Sequence, residues 1–139
     1  MKTPHILLVD DSDDDVELAQ RMLHKLAPEV LQSVAIDGVQ ALEMLYAPEN
    51  KRLVPDLILL DLKMPRLDGA DVLKALRADQ STQRIPVVMF TSSSERSDVL
   101  RCYALGANSY VQKPVKFDEY ETAIGLIVHY WLRLNQLAD

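Results

Sequence analysis

Four short stretches carry residues that could do chemistry together. Asp10-Asp11 closes the apolar run Ile6-Leu7-Leu8-Val9, Asp61 closes Leu57–Leu60, Thr91-Ser92 follows Pro86–Phe90, and Lys113-Pro114 follows Ser109–Gln112. If the chain gathers these ends, three carboxylates converge and repel one another. A hard divalent ion with oxygen ligands, Mg²⁺ with Mn²⁺ as a substitute, is the natural offset. Lys113 supplies the second positive charge. A carboxylate so placed can attack phosphorus and form an aspartyl phosphate. The transferring group then needs its charge stabilised and its oxygens positioned. Asp61 stands alone at its run and is the better nucleophile. Asp10 and Asp11 are adjacent and suit a metal clamp, and the Thr91 hydroxyl can donate to a phosphoryl oxygen.

The elements that must position these residues are legible as alternating apolar runs and helical patterns. Val16, Ala19, Leu23 and Leu26 share one helical face, and Pro28 stops that helix. Helices are also expected over Gly38–Ala47, Ala70–Ala78, Glu95–Leu105 and Phe117–Leu137, with Gly106 as the stop after the fourth. Strands are expected over residues 6–9, 31–36, 57–60, 86–90 and 109–112. Five β-then-α units imply an α/β fold, a parallel sheet with helices on both faces. The first, third and fourth strands are almost wholly apolar and belong in the middle. The second carries Gln32 and Ser33, and the fifth carries Ser109 and Gln112, so these belong at the edges. The order is therefore 2-1-3-4-5, a flavodoxin-like arrangement whose ligand site lies beyond the carboxyl ends of strands 1 and 3.

Composition bounds the rest. The 139 residues suit a single domain spanning 1–139. A net charge of -6 argues against nonspecific binding to nucleic acid or anionic membrane. Cys102 is the only cysteine, so neither an internal disulfide nor a thiolate metal site can form within one chain. No apolar stretch is long enough to cross a bilayer and no secretory signal precedes the first strand, so a cytoplasmic location is expected. Asp13, Asp14 and Asp15 read as capping and first-turn charge on the first helix.

Taken in order, these residues resemble the response-regulator receiver domain of two-component signalling. Val9-Asp10-Asp11 is similar to that family's acidic pair, and Asp56–Pro65 to its phosphorylation segment. Gly69, Thr91, Ala107, Tyr110 and Lys113-Pro114 stand where the family places a glycine, switch hydroxyl, alanine, switch aromatic and lysine-proline. The resemblance implies that Asp61 is phosphorylated by a sensor histidine kinase. It also implies that Asp11, Asp61 and the Lys63 carbonyl bind metal, with Asp10 acting through water. Lys113 would contact the phosphoryl group, Thr91 and Tyr110 would carry the switch, and Lys113-Pro114 would be a cis bond. The protein would catalyse only its own phosphorylation and dephosphorylation. With the receiver filling the chain, no separate output domain is expected.

The last helix is apolar over roughly two-thirds of its circumference, where a helix on a sheet needs roughly a third. Ile127, Tyr130, Trp131 and Leu134 are therefore expected to form a homodimer interface. Tyr130-Trp131-Leu132 also resembles an element of small single-domain regulators associated with bacterial phytochromes, which makes such a kinase a candidate donor.

Three rival readings have signatures that can be checked. An interaction module that works without phosphorylation would dispense with Asp61 or Lys113, and both are present. An aspartyl-phosphate hydrolase wants a second acid two residues after the nucleophile, where this chain has Lys63. A flavin site wants a phosphate-binding loop after the first strand, where Asp10-Asp11-Ser12-Asp13 would repel a phosphate.

Overall fold

The computed structural model describes residues 2–138. Met1 and Asp139, the two ends of the expected domain, lie outside the described residues. The chain runs β1 (His5–Val9), α1 (Asp13–Leu26), β2 (Leu31–Ala35), α2 (Gly38–Leu45), β3 (Leu57–Leu60), α3 (Gly69–Ala78), β4 (Val87–Thr91), α4 (Arg96–Ala104), β5 (Ser109–Gln112) and α5 (Phe117–Val128). A short 3-10 turn, Glu49–Lys51, precedes β3. All strands are parallel, and the sheet order is β2-β1-β3-β4-β5.

The two-residue period of a strand sorts the core into two layers. Leu7, Val9, Ile58, Leu60, Val87 and Met89 face the helices carrying Leu45, Leu73, Leu76 and Cys102. Ile6, Leu8, Leu57, Leu59, Val88 and Phe90 face α1 and α5 through Leu23, Ile124 and Val128. β1, β3 and β4 are buried on both sides, which is why they read as unbroken apolar runs. Cys102 is a buried packing residue whose thiol pKa is pushed up by desolvation.

Side-chain caps set the helix starts. Ser12, Asp37 and Asp68 each accept the N–H three residues on, from Asp15, Gln40 and Asp71. The Ser12 cap starts α1 three residues earlier than the apolar pattern alone indicates.

The last helix departs from expectation. It is α-helical only to Val128, then widens into a π-helical turn over His129–Leu134 and becomes extended at Asn135. The Asn135 N–H closes on the Tyr130 carbonyl, five residues back, at 2.6 Å. The wider turn lets both Trp131 and Leu132 reach the core layer under α1. Arg133 anchors it through Glu29 at 2.8 Å. Ile127 is 7% exposed and belongs to the domain's own core, which corrects its expected place on a partner surface. Tyr130 and Leu134 do face outward, at 47% and 62% exposure.

Among the described residues no peptide bond is cis, so Lys113-Pro114 is trans and the expected cis bond is not adopted. Trans is the lower-energy isomer of a free X–Pro bond. Lys113 is already aimed by strand pairing, its N–H donating to the Thr91 carbonyl at 2.7 Å. No helix among the described residues is long and apolar enough to cross a membrane.

Candidate functional site

The ends of β1, β3, β4 and β5 meet at the carboxyl end of the sheet. Val9 pairs with Leu60, so Asp10 and Asp61 follow side by side; Leu60 pairs with Met89 and Thr91 with Gln112, so Lys113 follows beyond β4 and reaches back with its long side chain. The Asp61 N–H donates to the Val9 carbonyl at 2.9 Å, which locks the two acidic ends in register. Asp10, Asp11 and Asp61 each offer a carboxylate oxygen within 4.8 Å of the others. Asp10 and Asp61 are buried, and Asp11 is exposed at the mouth.

Lys113 Nζ reaches this cluster from the far side. It lies 2.6 Å from Asp10 Oδ2, 2.8 Å from Asp15 Oδ2 and 3.6 Å from Asp61 Oδ2. Burial opposes the charge on Lys113, but its hydrogen bonds to Asp10 and Asp15 and the charge of Asp61 outweigh it and hold the ammonium above its ordinary pKa. The Asp61 pKa is also pushed up, to about 6, which for an acid disfavours the charged form. Desolvation is the main cause and the Asp10 charge adds to it. Lys113, the Thr91 hydroxyl and the Leu62 N–H pull it down less strongly.

The Asp61 oxygens are not equivalent. Oδ1 accepts the Leu62 N–H at 2.8 Å, whereas Oδ2 faces Lys113. The loop after Asp61 folds back tightly, with the Gly69 N–H on the Leu62 carbonyl at 2.8 Å. A Cβ on Gly69 would overlap the Asp61 carbonyl oxygen, so only glycine allows this approach.

A second layer of contacts covers the β4 side. The Lys63 ammonium lies 3.4 Å from Asp98, and the Ser93 hydroxyl donates to Asp98 at 2.6 Å. The Tyr110 hydroxyl donates to the Ser93 carbonyl at 2.9 Å. Ser93 and, more weakly, Lys63 hold the buried Asp98 carboxyl below its ordinary pKa.

The structure thus gathers Asp10, Asp11, Asp61, Thr91 and Lys113 into one pocket, with Lys63 and Tyr110 on its rim. Tyr130, Trp131 and Leu134 lie on the turn after α5, outside that pocket. Sequence reasoning read Asp15 as first-turn charge on α1, where it does lie, but missed its contact with Lys113, and it missed Asp98 altogether. Asp98 lies in the first turn of α4, five residues after Ser93, and only the tertiary fold brings Lys63 to it.

The donor set suits a hard divalent cation: three carboxylates with few neutralising charges nearby. Such an ion would offset the carboxylate repulsion and neutralise charge on a transferring phosphoryl group.

Comparison with known proteins points the same way. The profile for the response regulator receiver domain matches residues 6–125. A probable methanogenesis regulatory protein, FilR2, of Methanothrix harundinacea is 34% identical over 132 residues, covering 94% of this chain and 85% of that one. The response regulator Rcp1 of Synechocystis sp. is 35% identical over 130 residues, covering 91% and 88%. Its Mn²⁺-bound crystal structure superposes with a TM-score of 0.89 at 32% identity, covering 98% of this chain and 99% of that one. The crystal structure of the phosphorylated cyanobacterial phytochrome response regulator RcpA gives a TM-score of 0.93 at 30% identity, covering 99% of this chain and all of that one.

Proposed function

The chain belongs to the response regulator receiver family, and from that premise we propose that Asp61 is its phosphoacceptor, served by a divalent ion on Asp10, Asp11 and Asp61 and by the ammonium of Lys113. Receiver domains take phosphoryl groups from histidine kinases and signal through the phosphorylated state. In this chain Oδ2 of Asp61 attacks the phosphorus while Oδ1 stays on the Leu62 N–H. An O–P bond forms, and the bond from phosphorus to the donor histidine nitrogen breaks with its electron pair leaving on the imidazole. Lys113 and the Thr91 hydroxyl then hold phosphoryl oxygens, and Thr91 and Tyr110 pass the change to the β4–α4 side. In this reading the Lys63 carbonyl would complete the metal ligands, Asp10 would act through water, and the ion held there would be Mg²⁺, which would neutralise charge on the phosphoryl group.

One observation carries the proposal: a buried Lys113 ammonium 3.6 Å from Asp61 Oδ2, opposite a carboxylate cluster. Incubation with acetyl phosphate and Mg²⁺, followed by intact mass, should add one phosphoryl group to the wild type and none to Asp61→Asn. Equal labelling of the two would overturn the assignment.

We further propose that the donor is a phytochrome-type histidine kinase, supported by the likeness to RcpA over 99% of the chain. A homodimer through the turn after α5 is proposed on the exposure of Tyr130 and Leu134. Sedimentation of the wild type against a Tyr130→Ser, Leu134→Ser variant tests it. A wild-type monomer at high micromolar concentration, phosphorylated or not, would rule the dimer out.

A further inference from the structure

Asp15 is the residue around the phosphoacceptor pocket that the reading above leaves without a task. It is the fourth carboxylate at a site with one buried ammonium, and it binds that ammonium almost as closely as Asp10 does. A lysine ammonium has three N–H donors and no acceptor. Here the three nearest acceptors are Asp10 at 2.6 Å, Asp15 at 2.8 Å and Asp61 at 3.6 Å. The two short contacts occupy two donors. The third is left for Asp61, where the phosphoryl group would bond.

We propose that Asp15 is a positioning residue for phosphoryl transfer at Asp61, fixing the rotation of the Lys113 ammonium so that its remaining N–H is aimed at the phosphoryl oxygens. This rests on Asp61 being the acceptor. With Asp10 alone, the flexible end of the Lys113 side chain can swing about a single hydrogen bond and carry the ammonium with it, so its third donor has no fixed direction. With Asp10 and Asp15 together the direction is set before a donor arrives, which is the kind of pre-orientation that lowers a transfer barrier.

Three further features support the assignment. Asp15 is itself held, because its N–H donates to the Ser12 hydroxyl cap at 3.3 Å. Ser12 in turn donates its N–H to Asp10 Oδ1 at 2.9 Å, so the two acceptors of the lysine are tied through one residue. Finally, Lys113 is itself buried, at 9% exposure, so its ammonium has little room to wander and Asp15 can govern its direction.

The charge of Asp15 and its acceptor geometry make opposite predictions. As a competing charge, Asp15 would slow transfer by holding the ammonium back, and neutralising it would speed transfer. As an orienting acceptor, it can be replaced by an amide, whose carbonyl oxygen still accepts, but not by alanine.

The test is the rate of Asp61 phosphorylation by acetyl phosphate in saturating Mg²⁺, followed over a range of donor concentrations in wild type, Asp15→Ala and Asp15→Asn. Mg²⁺ affinity is measured for each by calorimetry, and Asp61→Asn serves as the reference for acceptor failure. We expect Asp15→Ala to lower the maximal rate about tenfold, Asp15→Asn to recover most of that loss, and Mg²⁺ affinity to stay within about twofold of wild type. A wild-type rate in Asp15→Ala overturns the proposal. Faster transfer in both variants overturns it in favour of charge competition. An Asn variant as slow as the Ala variant overturns orientation by hydrogen bonding. A parallel loss of Mg²⁺ binding assigns Asp15 to the metal instead. Labelling of Asp61→Asn is a different failure, since it removes the acceptor itself and leaves nothing for Asp15 to orient.

Discussion

Replacing Asp61 by Asn should abolish phosphorylation and, in metal-free solution, stabilise the fold above pH 6. The reason is the cost of keeping that carboxylate ionised among its neighbours. Desolvation first, and the Asp10 charge next, raise its pKa from 3.8 to about 6 despite Lys113. Between about pH 4 and 6 the folded protein therefore binds more protons at this site than the unfolded chain does. Stability falls as pH rises through that window, then stays low above it. A rise from 3.8 to about 6 corresponds to at most about 3 kcal/mol. Solvent at the pocket mouth screens part of this, so about 2 kcal/mol is the expected gain for Asp61→Asn near neutral pH. Urea unfolding of the two proteins at about pH 4 and about pH 7.5, with and without Mg²⁺, reads it out. The difference should be close to zero at the lower pH and open to about 2 kcal/mol at the higher. Excess Mg²⁺ should narrow it again, because an ion that binds only the native wild-type pocket stabilises that protein selectively. Equal stability at about pH 7.5 without metal, or a difference that grows toward acid, would refute the reasoning.

Three other outcomes follow from the same geometry. Gly69→Ala should push the loop off the Asp61 carbonyl, cost about 2 kcal/mol or more in thermal or urea unfolding, and slow phosphorylation; a variant with wild-type stability and rate contradicts the close approach. Tyr120→Phe should leave stability unchanged or raise it by about 1 kcal/mol. The Tyr120 hydroxyl is buried without a hydrogen-bond partner among the described residues, its pKa is pushed up to about 12 by desolvation, and its edge contact with Phe90 would survive; a loss above about 1 kcal/mol would reveal a bond to that hydroxyl. A Lys63→Ala, Ser93→Ala double variant should change the lifetime of the phosphorylated state, since both side chains meet at Asp98 on the pocket rim; phosphoryl loss at the wild-type rate would remove that role.

How much of this was legible beforehand differs from residue to residue. The strand order could be read from composition, because parallel strands buried on both faces must be apolar throughout. β1, β3 and β4 are so apart from His5 and Thr91 at strand ends, while β2 and β5 carry polar residues and lie at the edges. That order alone brings Asp10, Asp61 and Lys113 to the carboxyl end of the sheet, since each directly follows a strand and strand ends are fixed in register by backbone pairing. Residues on helices were harder. Whether Asp15 or Asp98 faces the pocket depends on how α1 and α4 are rotated against the sheet, and rotation is settled by packing rather than by local pattern. The same holds after α5. The apolar pattern there extends past Val128 and reads as one helix with a partner face. The backbone instead widens into a π turn, so that Trp131 and Leu132 settle on the domain's own core. Strand-borne chemistry was thus determined by the sequence, because pairing and burial act locally along a strand. Helix-borne contacts were decided by the tertiary structure, because only the packed core selects among faces that the sequence leaves nearly equal in energy.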